Sequence, residues 1–386
     1  MADIITSKEL KERLSSGRQL RIKHGIDATS PYLHLGHAAN LWKLRQLQEA
    51  GHKAVILFGD TTTRVGDPTG KSKTRPILSE KEIAKNISFI KKQIESILLT
   101  DKKVYETRCN SEWYAKTNAS EFLEIASLVT HARLIERDMF QERIREKTEI
   151  TISEILYPIL QGYDSVKLKS DMTVIGSDQI FNEHMGRMLQ EKFGQPPQII
   201  VALKIVPGLD GGEKMSKSAN NFIAITDKPK DKFGKMMTLR DELIGDYLES
   251  YTDVSAAEIK EIKEDSVKGK NPMEAKLFLA EKLVTRYHGA EQAKKIRNEF
   301  TKVFSQKNNP VEMKEFKTFQ KVWSLLDLLV VSGLANSKTE ARRLVSQGGV
   351  RIDGEKIKPN VKSIELKSES VFKVGKLKFL KVVIIQ

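Results

Sequence analysis

Two short constellations carry residue types suited to polyphosphate chemistry. The first is His34-Leu35-Gly36-His37, which follows a strand-like run and a polar turn and opens a segment with Leu41, Leu44 and Leu47 at helical spacing. A helix N-terminus points free N–H groups and the positive end of its dipole at an anion. Two imidazoles there can donate to phosphate oxygens, and Gly36 lets a flat ligand approach the backbone. The plainer reading is a pair of capping histidines with no ligand. The second constellation is Lys214-Met215-Ser216-Lys217-Ser218, behind Gly-Leu-Asp-Gly-Gly at residues 208–212. The glycines predict a mobile loop, and its two lysines can clamp a leaving polyphosphate. Taken alone, such a run is more often solvated surface.

The elements that position these residues follow from hydrophobic patterning. Residues 20–27 read as a strand, about 36–50 as a helix ended by Gly51, and 53–59 (KAVILFG) as a buried parallel strand. Ser79 and Glu82 fit a capping box before a helix with Ile83, Ile87, Ile90 and Ile94 on one face. Residues 173–175 and 198–206 read as further buried strands. Alternating β and α segments predict a doubly wound parallel sheet. From about residue 227 the pattern is helical, with segments near 255–262 and 272–284. Residues 305–316 (SQKNNPVEMKEF) read as a linker. A small α-then-β module follows, with a hairpin turn at Asp353-Gly354. The predicted domains are 1–226 (Rossmann-type α/β), 227–310 (α-helical) and 317–386 (small α+β).

Composition narrows the partners. The 386 residues carry 65 Lys/Arg against 51 Asp/Glu, a net charge of +14. Residues 317–386 hold 14 Lys/Arg and 6 Asp/Glu, more than half of that excess. Lys338, Arg342 and Arg343 fall on one helical face, with Arg351 and Lys356 on the following hairpin, which suits structured RNA. A merely soluble basic surface is the alternative. A single cysteine, Cys109, rules out an internal disulfide and reads as an inert thiol. No apolar run reaches membrane-spanning length, and the charged N-terminus is no secretory signal, so a cytoplasmic location is expected. The remaining histidines form no ligand-spaced cluster, so no protein-bound metal is expected.

In combination the motifs resemble those of the class I aminoacyl-tRNA synthetases. Gly25-Ile26-Asp27-Ala28-Thr29, Gly66-Asp67-Pro68-Thr69-Gly70-Lys71, Tyr157-Pro158-Ile159-Leu160-Gln161-Gly162-Tyr163-Asp164 and Ser177-Asp178-Gln179 narrow the likeness to the bacterial tyrosyl branch. Residues 337–354 resemble the S4 RNA-binding domain. The resemblance implies activation of tyrosine by ATP, with Mg²⁺ accompanying the ATP, and transfer to tRNA(Tyr) by a homodimer. It implies that His34, His37, Lys214, Lys217, Lys71 and Arg75 act on the phosphates, that Thr29 also reaches a phosphate, that Gly36 lets adenine lie near the backbone, and that Asp178 binds the ribose. Asp67, Tyr157, Gln161 and Gln179 would hold the tyrosine ammonium, and Asp164 would accept from the phenol.

On their own, Asp67 reads first as a turn residue, and Tyr157 can be read as a packed aromatic and Gln179 as a helix cap. Three positions depart from the usual pattern. Lys23 replaces a common tyrosine, as in a second bacterial branch. Ala28 replaces proline, and Thr63-Arg64 replace glycine and an apolar residue. Three rivals stay open: a tryptophanyl enzyme of the same fold, a nucleotidyltransferase using only the first motif, and an RNA-binding protein built on an inactive synthetase.

Overall fold

The computed structural model describes residues 3–68, 78–216, 219–305, 313–367, 369–375 and 378–385. It comprises two compact units, one of residues 1–228 and 235–279, the other of residues 229–234 and 280–386.

The first unit begins β1 (Asp3–Ile5), α1 (Ser7–Ser15), β2 (Arg21–Ile26), α2 (Leu35–Glu49), β3 (Lys53–Phe58), α3 (Thr62–Val65), α4 (Glu80–Glu95) and β4 (Tyr105–Cys109). Five helices follow: α5 (Ser111–Tyr114), α6 (Ala119–Ser127), α7 (His131–Ile135), α8 (Asp138–Arg145) and α9 (Ile152–Leu168). Then come β5 (Met172–Gly176), a 3₁₀ turn at Ser177–Gln179, α10 (Ile180–Lys192) and β6 (Ile199–Leu203). The sheet order is β1-β6-β5-β2-β3-β4, parallel except for β1, which runs antiparallel to β6. This is the doubly wound sheet expected from the alternation. The antiparallel edge strand went unread, because three residues are too few to display a period of two. The central strands are buried on both faces, Val55, Ile56 and Leu57 among them, which is why β3 reads as a continuous apolar run.

Two glycines set the crossing of α9 and α10. A Cβ on Gly162 would stand 3.0 Å from the Met185 carbonyl carbon and 3.1 Å from the Gly186 nitrogen. The two backbones therefore meet directly, and the polar residues flanking Gly162 face those at the start of α10.

The chain continues through α11 (Pro229–Met236), α12 (Ile244–Tyr251), α13 (Ala256–Val267), α14 (Pro272–His288) and α15 (Ala290–Ser305), helical as expected. Among the described residues no helix is long and apolar enough to cross a membrane. The second unit ends in β7 (Lys314–Thr318), β8 (Val322–Ser324), α16 (Leu325–Val331), α17 (Lys338–Ser346), β9 (Val350–Ile352), β10 (Glu355–Lys356), β11 (Ser363–Glu365), β12 (Glu369–Val374) and β13 (Lys378–Ile384). Its main sheet runs β10-β9-β12-β13-β7. Leu325, Leu328, Ala341 and Val345 of the helices join Phe372, Leu380 and Val382 of the strands in one core. The hairpin turn is where it was expected, with Asp353 at φ 50° and Gly354 at φ 87°.

The linker reading needs one correction. Residues 314–316 open β7, which pairs parallel with β13 and sets Phe316 opposite Val382. Exposed charges on this edge strand disguised it as linker.

Gly162→Ala should lower unfolding stability by about 1–3 kcal/mol, because backbone atoms cannot rotate out of the way of the new methyl. Urea denaturation measures this. An unchanged midpoint would contradict the close crossing.

Candidate active site

Strands β2 and β5 share only two ladder pairs, Ile22–Met172 and Lys23–Thr173, whereas β2 and β3 share six. Beyond Lys23 the strands part. His24 spans the gap, its Nδ1–H donating to the Val174 carbonyl oxygen at 2.7 Å. Burial pushes the pKa of this imidazole down, so it stays neutral. A cavity of about 350 Å³ opens at the carboxyl ends of these strands, the topological switch point of the sheet. It is lined by Thr29, His34, Gly36 and His37 on one side, by Asp67, Tyr157, Gln161 and Asp164 on another, and by Asp178, Gln179 and Lys214. Every described residue assigned to ATP or tyrosine thus reaches one cavity. Lys71, Arg75 and Lys217 lie outside the described residues.

The His-x-Gly-His segment folds as a capped helix start. His34 is the N-cap of α2, its Nδ1 accepting from the Gly36 N–H at 3.2 Å, while His37 Nδ1 accepts from the His34 N–H at 3.3 Å. The rings stand 4.0 Å apart, centre to centre. Capping and phosphate binding are therefore compatible. With Nδ1 accepting, each neutral ring carries its hydrogen on Nε2, from which a phosphate oxygen can accept. The loop of the second motif is tied to this helix. The Leu35 N–H donates to the Ile223 carbonyl and the Ile225 N–H to the Leu33 carbonyl, both at 3.0 Å. Buried Asn221 accepts from the Ser216 N–H at 2.8 Å and donates to Asp210 at 3.0 Å, pinning the base of the loop. Lys214 Nζ lies 2.8 Å from Asp178 Oδ2. Such a partly exposed pair is worth at most about 1 kcal/mol, so a charged ligand can readily displace it.

The opposite wall is a directed polar network. Glu183 lies 2.8 Å from Lys23 and accepts from Gln161 Nε2 at 2.9 Å. Asn182 Nδ2 donates to both Gln161 Oε1 and Gln179 Oε1, each at 2.9 Å. Gln179 Nε2 in turn donates to Asp67 at 2.9 Å. The Tyr157 hydroxyl donates to Asp27 at 2.9 Å, and Thr62 donates to the other Asp27 oxygen at 2.8 Å. Burial, then the Asp27 charge, holds the Tyr157 phenol well above its ordinary range, so it stays protonated. Asp164 is buried and accepts from the Trp113 indole N–H at 3.0 Å and from Asn110 at 3.4 Å. Burial pushes its carboxyl up to about 7, against the pull of the nearby Lys23 charge.

In the second unit, Lys338, Arg342 and Arg343 are exposed on α17 and Arg351 on β9. Lys338 pairs with Asp327 at 2.6 Å. Lys356 lies over Gly348, just past the end of α17.

Comparison with known proteins identifies the lineage. A family model described as tRNA synthetases class I (W and Y) matches residues 15–305, and the S4 domain model matches residues 324–362. The tyrosine–tRNA ligase of Thermotoga maritima is 44% identical over 386 residues, covering 99% of this chain and 95% of its own. That of Haemophilus influenzae is 43% identical over 380 residues, covering 98% and 94%. This chain belongs to the tyrosine–tRNA ligase family. Among solved structures, the Archaeoglobus fulgidus tyrosyl-tRNA synthetase complexed with L-tyrosine is similar in fold. It gives a TM-score of 0.61 at 23% identity, over 77% of this chain and 96% of that one. The Aspergillus nidulans mitochondrial tyrosyl-tRNA synthetase, C-terminally truncated, gives 0.63 at 21%, over 79% and 91%.

Within this synthetase, sequence reasoning missed several participants. Asp27 lies in a quoted motif but was given no task, and its partner Tyr157 is 130 residues away. Trp113, Asn110, Asn182 and Glu183 belong to no motif. Arg137, the N-cap residue of α8, is buried, with the charges of Asp67 and Asp178 acting on it, and belongs to no motif. Cys109 is partly buried, and its thiol is pushed up to about 11 by burial and then by the Asp60 and Glu112 charges, so it stays protonated.

The raised Asp164 pKa has a stability consequence. The folded protein binds this proton more tightly than the unfolded chain, whose carboxyl titrates near 4. Ionising Asp164 therefore weakens the fold as pH rises from about 4 to about 7. Asp164→Asn removes that contribution. Its melting temperature relative to the parent should climb across this window and level off above it. A difference independent of pH would contradict the buried carboxylate.

Proposed function

We propose that the cavity activates L-tyrosine with ATP and then passes the tyrosyl group to the 3′-terminal adenosine of tRNA(Tyr). In the first step a tyrosine carboxylate oxygen bonds to the α-phosphorus of ATP, and the bond from that phosphorus to the bridging oxygen breaks, releasing pyrophosphate. In the second, a ribose hydroxyl attacks the tyrosyl carbonyl and AMP leaves. Both nucleophiles belong to substrates, so the protein's task is to position groups and stabilise charge. The observation that carries the tyrosine assignment is Asp164, a buried acceptor at the cavity wall. A tyrosine hydroxyl would add a donor beside those of Trp113 and Asn110, whereas phenylalanine would cover the carboxylate and add none, which disfavours the wrong substrate.

The other roles complete this reading. His34 and His37 donate from Nε2 to ATP phosphates, and the α2 N-terminus adds its dipole. Gly36 keeps that approach open, since a Cβ there would stand 3.0 Å from the His34 ring. Thr29 reaches a phosphate. Lys214, with Lys217, Lys71 and Arg75, neutralises the departing pyrophosphate, and Mg²⁺ arrives with the ATP. Asp178 exchanges Lys214 for the ribose. The tyrosine ammonium sits among Asp67, Gln161, Gln179 and the Tyr157 oxygen, with Asp67 supplying the balancing charge. The basic face of Lys338, Arg342, Arg343 and Arg351 takes tRNA phosphates. Residues 1–226 serve catalysis, and 227–310 and 317–386 serve tRNA. The enzyme acts in the cytoplasm as a homodimer, for which exposed Leu123, Ile144 and Ile152 on α6, α8 and α9 supply apolar surface.

Charging of tRNA(Tyr) with labelled tyrosine tests the complete reaction. In the double variant Arg342→Glu/Arg343→Glu, tyrosine-dependent ATP–pyrophosphate exchange should stay within about twofold of the parent. The KM for tRNA should rise about tenfold or more and its salt dependence should flatten, as expected when phosphate contacts are lost. Equal loss in both assays would contradict the division of labour.

A further inference from the structure

Lys23 and Glu183 form a salt bridge with side chains only 2% exposed, and neither belongs to the motifs that mark the family. Lys23 also donates to Ser165 Oγ at 2.6 Å. Glu183 Oε2 accepts from Gln198 Nε2 at 2.6 Å as well as from Lys23, which leaves Oε1 to accept from Gln161 Nε2 at 2.9 Å. Buried Lys–Glu pairs are a poor source of stability, because desolvation consumes most of the attraction.

We propose that Glu183, clamped by Lys23, is a positioning residue for the substrate's amino group, fixing Gln161 so that its carbonyl oxygen rather than its NH₂ is presented to the ammonium. The proposal rests on the reading above in which Gln161 and Gln179 receive that ammonium. A carboxylate only accepts, so Gln161 must turn its NH₂ toward Glu183. Its Oε1 then lies on the Asn182 side, 2.9 Å from the same nitrogen that donates to Gln179 Oε1. Gln179 is set the same way from the other end, its NH₂ held by Asp67. Two carboxylates thus impose one polarity on the chain, and two carbonyl oxygens converge on the one Asn182 nitrogen. Asn182 keeps its NH₂ toward them although its own Oδ1 is buried without a partner among the described residues. Reversing either amide would set N–H against N–H. A glutamine without such a clamp can reverse its amide and offer an ammonium two repelling hydrogens.

Steady-state ATP–pyrophosphate exchange with two variants tests this. Glu183→Gln keeps the shape but both donates and accepts, so it no longer dictates the Gln161 orientation. The tyrosine KM should rise about tenfold, with kcat and the ATP KM within about twofold, the pattern of lost ground-state binding. Because Glu183→Gln also strands the Lys23 charge, the double variant Lys23→Met/Glu183→Leu serves as a folded control, replacing the pair with packed apolar groups. It should still unfold cooperatively, above the assay temperature, and show the raised tyrosine KM. Inhibition by tyrosinol, which keeps the ammonium, should weaken about tenfold in both variants. Inhibition by 3-(4-hydroxyphenyl)propionate, which lacks the ammonium, should change less than about twofold. The proposal is overturned if the stable double variant recovers the parent's tyrosine KM, or if both inhibitors weaken equally. Failure of the functional reading would look different: the parent itself would show no tyrosine-dependent exchange.

Discussion

The constraint on which the catalytic unit depends is the early parting of β2 and β5. Two ladder pairs hold these strands together, and past Lys23 and Thr173 the backbones separate. A parallel sheet that stayed paired would have no room for a ligand there. The separation exposes carbonyl groups that must be satisfied in some other way. His24 does this for Val174, and its neutrality in a buried setting follows from the same geometry. Lys23, the last paired residue of β2 on that side, becomes part of the cavity floor. The connections leaving the strand ends then deliver Thr29 and the α2 N-terminus from β2, and Asp178 and Gln179 from β5.

The cavity formed this way carries more charge than a core of its size normally holds. Asp164, Lys23 and Glu183 are all buried. Each is answered by a partner from a different element, and the Lys23–Glu183 pair anchors one end of a directional amide chain. Carboxylates stand at both ends of the amide chain, so no amide in it is free to choose its orientation. Asp164 is the member least compensated, its burial outweighing the donors around it. A protein selected for stability alone would fill such a position with a neutral side chain. Holding an acceptor there is intelligible as the requirement of a site that must distinguish a phenol from a plain ring.

Much of this was legible in the sequence, for a physical reason. The phosphate side is built from contiguous residues, because one helix start and one glycine-flanked loop each place several groups at once. Parallel strands buried on both faces announce themselves as apolar runs, so β3 and β6 were readable. The tyrosine side is assembled from residues far apart, and pairs such as Asp27–Tyr157 or Lys23–Glu183 leave no spacing to detect. Glu183 in particular looks like any polar residue on an amphipathic helix until the α9–α10 crossing brings it to Gln161. Short edge strands were the other gap. In β1 the few residues, and in β7 the charges, hide a pairing that only the neighbouring strand reveals.

The claim that ties these features together is that this cleft activates tyrosine and selects it through a buried acceptor. It is tested most directly by ATP–pyrophosphate exchange measured with each of the twenty amino acids in turn. The account predicts that tyrosine has the highest kcat/KM, and that phenylalanine, differing from it by one hydroxyl, is poorer by orders of magnitude. A preference for tryptophan or any other amino acid, or comparable exchange with phenylalanine and tyrosine, would contradict it.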